Sequence, residues 1–267
     1  MKTVHSILFV SVVSLLISCS SSSGDPQAPL TGNVRIGYLH HSTGGNVWAG
    51  GVPGFINAWA APAGSTYTIA DVTYPDTNGG YLWANYPYDY WNLWVAHTGA
   101  IRDHDEQNLD DLAATFDVIM FKHCFPVSDV GPDATTSSVA AEDKTVSNYK
   151  LQYAALKERL HAFPAKRFIV WTGAALTQSS TDPASAQRAK DFFDWVTSSW
   201  DEAGDNIYVW DFRKLETDGG LYLLAANASG GDSHPNATFS ARVAPLIGKR
   251  IVDVIEGRGD TGSLTGE

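Results

Sequence analysis

The chain has 267 residues, enough for one large α/β domain with a well-buried core. With 44% hydrophobic and 18% charged residues, its composition argues against disorder as the default state. The balance of 18 Lys+Arg against 29 Asp+Glu, net −11, comes without the clustered cations that bind phosphate backbones, which excludes nucleic acid as a partner and disfavours other strongly anionic polymers.

Residues 1–19 read as an export signal outside the fold. Lys2 supplies a positive start, and residues 7–17 are almost wholly apolar but too short to span a bilayer as a mature helix. The run ends in Leu16-Ile17-Ser18-Cys19, which resembles a bacterial lipobox whose Cys is acylated and becomes the mature N-terminus. Residues 20–32, with four consecutive Ser followed by Gly24, Asp25 and Pro26, read as a flexible tether. The expected location is the bacterial cell envelope, with the domain held on a membrane through lipid at Cys19 and facing the periplasm or the cell surface. Lipid on Cys19 leaves Cys124 alone, so no intramolecular disulfide is expected and stability must come from the core.

From Thr31 onward short apolar runs alternate with helical stretches, the pattern of βα units on a parallel sheet. Five strands are predicted, at residues 34–40 (VRIGYLH), 67–72 (YTIADV), 117–123 (DVIMFKH), 167–172 (RFIVWT) and 206–212 (NIYVWDF). Helices are predicted over 146–162 and 185–200 from apolar residues at helical spacing, and from Asn236 to Gly257, where Asn suits an N-cap, Gly a C-cap, and Pro245 should introduce a kink. One domain is expected over 33–257, followed by a polar, Gly-rich and disordered tail at 258–267.

In an open parallel sheet ligands bind beyond the carboxyl ends of the strands. That selects the segment from His40 to Asn46 after the first strand and His123, Cys124 and Asp129 after the third. It also selects Gly231-Asp232-Ser233-His234-Pro235-Asn236 before the last helix. A Ser needs an adjacent base to become a nucleophile, an imidazole can take its proton, and a carboxylate on the other ring nitrogen fixes the tautomer. Ser42, His234 and Asp232 supply those groups. Gly44 and Gly45 let the backbone approach a ligand, and the turn's amides can face a developing oxyanion.

On Tyr38-Leu39-His40-His41-Ser42 and Asp232-Ser233-His234-Pro235-Asn236, the chain resembles the SGNH (GDSL-like) hydrolase family from Val34 to about Ile255. The resemblance implies a three-layer α/β/α sandwich on a mostly parallel five-stranded sheet, flavodoxin-like, with serine esterase activity and no metal or other cofactor. Three positions depart from the family pattern. His40-His41 replaces Gly-Asp before the Ser, Asp232 precedes His234 by two positions rather than three, and Lys122-His123-Cys124-Phe125 replaces the Gly-x-Asn-Asp block. That block's Asn normally serves the oxyanion hole. Here the expected donors are Ser42, Gly79, Gly80 and His123, with Lys122 as an alternative to His123. Asp129 and Asp71 are alternatives to Asp232 as orienter.

Residues 81–94 (YLWANYPYDYWNLW) hold three Trp and four Tyr. Trp83, Tyr88 and Trp91, with Trp48 near Ser42, are candidate stacking surfaces for a carbohydrate ester substrate, or they pack an irregular insertion. The function expected is hydrolysis of a carboxylic ester, on a small molecule or a carbohydrate, through an acyl-enzyme on Ser42. Two other readings stay open: a glycan-binding surface lipoprotein without catalysis, and a metal-dependent hydrolase using His40, His41, His123, Asp232 and His234.

Overall fold

The computed structural model describes residues 28–76 and 79–267. The expected signal peptide, Cys19 and residues 20–27 of the expected tether lie outside the described residues. In chain order the first half contains β1 (Asn33–His40), α1 (Thr43–Ala49), α2 (Val52–Ala58), β2 (Thr66–Thr73), α3 (Pro87–Trp91), α4 (Leu109–Thr115) and β3 (Val118–Phe121). The second half contains α5 (Val146–His161), β4 (Arg167–Trp171), α6 (Pro183–Trp195), β5 (Ile207–Trp210), α7 (Phe212–Thr217), β6 (Ala228–Ser229), β7 (Asp232–Pro235) and α8 (Ala237–Ile255).

Five strands form a parallel sheet in the order β2-β1-β3-β4-β5. This is a flavodoxin-like three-layer sandwich, and the strand order reverses between β1 and β3. Side-chain alternation divides each central strand between two cores. Val118 and Met120, Ile169 and Trp171, and Tyr208 and Trp210 face one core, which α1, α2 and α8 cover. Ile119 and Phe121, Phe168 and Val170, and Ile207 and Val209 face the other, which α5, α6 and the aromatic insertion cover. Burial on both faces explains why the strands read as continuous apolar runs.

The last helix begins as expected, with the Asn236 side chain accepting from the Phe239 amide at 2.9 Å, and it continues through Pro245 to Ile255. Two expectations about the ends are corrected. Residues 28–32 are docked and not part of a free tether: the Leu30 amide donates to the Ile255 carbonyl at 2.7 Å, and the Leu30 side chain packs on the core. The tail at 258–267 is ordered. Its backbone carbonyls accept from the Trp210 indole at Thr265 (3.0 Å), from the Asp211 amide at Leu264 (2.8 Å), and from the buried Arg250 guanidinium at Gly259. The tail is polar in side chains, so hydropathy misses it. What orders it is a set of donors at the end of the edge strand β5 and on α8, each of which needs an acceptor.

Truncation after Gly257 should therefore expose Tyr208 and Trp210 and strand the Arg250 side chain. A loss of about 2 kcal/mol or more would lower Tm by roughly 4–8 °C in a domain of this size. An unchanged melting curve would show that the tail contributes nothing.

Candidate active site

β1 ends at His40, and the chain turns sharply into α1. Ser42 sits at the turn with φ 51° and ψ −114°, a conformation that an L-residue adopts only under constraint. Hydrogen bonds hold it there. The Gly44 amide donates to the His41 carbonyl at 2.9 Å, the Gly45 amide to the Ser42 carbonyl at 2.8 Å, and the Tyr38 hydroxyl to the Gly44 carbonyl at 3.0 Å. The strained turn pushes the Ser42 side chain outward, where it is exposed.

His234 reaches Ser42 from β7, 192 positions away in the chain. Its Nδ1 lies 2.7 Å from Asp232 Oδ1. A carboxylate can only accept, so Nδ1 carries the proton and Nε2 is left to accept from the Ser42 hydroxyl, with which it is hydrogen-bonded. The two-residue offset between Asp232 and His234 is a consequence of β structure, because residues i and i+2 of a strand share a face. Ser233 points the other way, and its buried hydroxyl accepts from the Thr177 amide at 3.1 Å. Asp232 also accepts from the His234 backbone amide at 3.2 Å. The hydrogen bond to His234 holds the Asp232 carboxyl below its usual range, although its side chain is 62% exposed. The alternatives to Asp232 are engaged elsewhere: Asp71 with His40 at 2.5 Å, and Asp129 with the Thr181 hydroxyl at 2.6 Å.

Two further contacts fix His234 against the turn. The Asn46 amide group donates to the Pro235 carbonyl at 3.1 Å, tying α1 to β7. Phe125 packs edge-on to the His234 ring at 5.1 Å. Phe125 closes the segment that stands where the family carries its Gly-x-Asn-Asp block, but its contact with His234 is set by the fold.

His123 is a correction. Its ring is fully buried between Tyr90 and Tyr153, with Nε2 2.8 Å from the Tyr153 hydroxyl, so it cannot serve an oxyanion at Ser42. Burial, with Lys122 beside it, pushes its pKa down to about 3. The reason is parity: His123 continues the face of Ile119 and Phe121, whereas Lys122 continues the opposite face and passes beneath the Ser42 turn. Gly79 packs against the His104 carbonyl, and Gly80 lines a neighbouring cleft; among the described residues no hydrogen bond links either to Ser42 or His234.

The aromatic insertion divides in two. Tyr90, Leu93 and Trp94 are core, and Trp48, partly buried, packs against Tyr38. Trp83, Tyr86 and Tyr88 line a cleft of about 780 Å³ that Asp103, Glu142 and Lys144 border. Trp91 leans on Tyr88 at 5.6 Å, and Leu82 is 96% exposed at the cleft. Trp83 stacks at 3.8 Å on His41, the residue before Ser42, which joins the cleft to the turn.

The imidazoles do not converge. His40 is bonded to Asp71, His41 to the Pro75 carbonyl and His123 to Tyr153. Among the described residues no three His, Cys, Asp or Glu side chains are arranged to hold a metal ion.

No protein-family model matches the chain, and no curated protein matches it. Among solved structures, a gut microbial diltiazem-metabolizing enzyme aligns with a TM-score of 0.47 and 13% identity, covering 86% of this chain and 48% of that one. The chain thus spans about half the length of that enzyme.

Ser42→Gly should relieve the positive-φ strain. Even with the added freedom glycine brings to the unfolded chain, stability should rise by about 1 kcal/mol, or roughly 2–4 °C in Tm. Lower thermal stability in the variant would mean that Ser42 is unstrained.

Proposed function

We propose that the protein is a serine esterase that cleaves carboxylic esters, on a small molecule or a carbohydrate, through an acyl-enzyme on Ser42. The observation that carries this reading is the hydrogen-bonded series from the Ser42 hydroxyl through His234 to Asp232, set on a strained turn at the carboxyl edge of the sheet. His234 Nε2 takes the hydroxyl proton as Ser42 Oγ bonds to the ester carbonyl carbon. The imidazolium then returns that proton to the departing alcohol. A water repeats the sequence on the acyl-enzyme and releases the acid. Asp232 keeps the imidazole in the required tautomer and stabilises its charged form.

The Gly44 and Gly45 amides are bonded to carbonyls of the turn. The amides of Ser42 and Thr43 are therefore the donors this turn offers to the tetrahedral oxyanion. The cleft of Trp83, Tyr86 and Tyr88 supports a carbohydrate-borne ester, because ring faces stack on sugars and the cleft meets the turn through His41.

Ser42→Ala and His234→Ala should each lower kcat for p-nitrophenyl acetate by about 1,000-fold or more, and the double variant should lose little beyond either, because the pair acts as a unit. EDTA should leave the wild-type rate unchanged. Substantial hydrolysis by Ser42→Ala, abolished by EDTA, would replace this mechanism with a metal-dependent one.

We further propose that Cys19 carries the lipid that anchors the domain to the cell envelope, on the strength of Leu16-Ile17-Ser18-Cys19. In a detergent phase separation, protein expressed with its signal should enter the detergent phase and Cys19→Ala the aqueous phase. Identical partitioning of the two would contradict the anchor.

A further inference from the structure

Lys122 is fully buried, and its side chain runs beneath the Ser42 turn. Gly44 makes room for it: a Cβ there would stand 3.0 Å from Lys122 Cδ and 2.4 Å from His40 Cβ. The ammonium donates to the His41 carbonyl at 3.2 Å and lies 3.6 Å from Cys124 Sγ. Among the described residues no carboxylate forms an ion pair with it. Glu216 acts on it only through space. That carboxyl is committed to the Ala175 amide, and burial pushes its pKa up to about 8. Burying a cation without a counter-ion is costly, and burial pulls the Lys122 pKa down accordingly.

The His41 carbonyl belongs to the peptide whose N–H is that of Ser42. It already accepts from the Gly44 amide at 2.9 Å, so Lys122 gives it a second donor. Peptide resonance couples the two ends of the group, and drawing electron density onto the oxygen leaves the nitrogen's proton more positive. We infer that Lys122 is a positioning residue for esterolysis, which acts through the His41–Ser42 peptide to strengthen the Ser42 amide as the donor to the oxyanion. This rests on the reading of Ser42 as nucleophile. The Ser42 amide then binds most tightly when the substrate oxygen is most negative. Lys122 should accordingly affect kcat far more than KM.

The test compares Lys122→Met, similar in length and uncharged, with Lys122→Gln, which keeps a donor for the carbonyl but loses the charge. For p-nitrophenyl acetate we expect the Met variant to lose about ten- to a hundredfold in kcat, with KM within about threefold, and the Gln variant to fall between it and wild type. The amide ¹⁵N resonance of Ser42 should move upfield in the Met variant and by less in the Gln variant. Melting curves establish folding, and if the Met variant does not fold, the Gln variant carries both readouts. A folded variant with wild-type kcat overturns the inference, as does lost kcat with an unmoved Ser42 resonance, which would mark a purely structural role. If Ser42→Ala is as active as wild type, the reading beneath it fails. If Ser42→Ala is inactive while the Lys122 variants retain full activity, only this inference fails.

Discussion

The site depends on bringing the end of β1 and the start of α8 to one edge of the sheet, where Ser42 and His234 share a hydrogen bond across 192 positions of chain. Local sequence cannot supply that contact. It requires the parallel order β2-β1-β3-β4-β5, whose reversal beside β1 opens room above the strand ends. It also requires α8 to dock against α1 and α2, so that β7, directly ahead of it, lies over the turn. The Asn46 bond to the Pro235 carbonyl then locks the two segments together. Loss of that docking would separate Ser42 from His234 without altering either residue.

Around that contact the protein departs from what stability alone would favour. Ser42 holds a positive φ, Lys122 is buried without an ion-pair partner among the described residues, and Asp232 holds the His234 ring from a solvent-exposed position. Stability comes from elsewhere, chiefly two apolar cores that interdigitate with both faces of the sheet. Conflicts between local preference and global structure that collect at one edge of an otherwise consistent fold are characteristic of functional sites. The exposure of Asp232 weakens its electrostatic hold, and its geometric role, fixing the imidazole through two bonds to the same residue, is the more durable one.

Much of the fold was legible because the physics is repetitive: strands buried on both sides read as runs such as Val118-Ile119-Met120-Phe121, and Asn236 and Gly257 bracket the last helix at its ends. Of the candidate site, the three residues that the fold brings together, Ser42, Asp232 and His234, stand out by their places after β1 and before α8. The placement of His123 was not legible because, past a strand's last residue, one step of parity decides which core a side chain enters: His123 meets Tyr153, and Lys122 reaches the His41 carbonyl. The tail was misjudged because its order comes from backbone carbonyls meeting Trp210 and Arg250, groups that side-chain hydropathy does not register. Trp48 reads like Trp83 in sequence, yet one packs against Tyr38 and the other faces a cleft, a difference set by helix phase and insertion geometry.

The central claim is that Ser42 carries the acyl group during turnover. Acid quenching of the enzyme in steady state with p-nitrophenyl acetate, followed by proteolysis and mass spectrometry, reads this directly. The account predicts one acetyl group on the peptide containing Ser42, localised to that residue by fragmentation and absent from His234→Ala. An unmodified Ser42 peptide in an enzyme trapped while hydrolysing at full rate, or an acetyl group on Cys124 in its place, would contradict it.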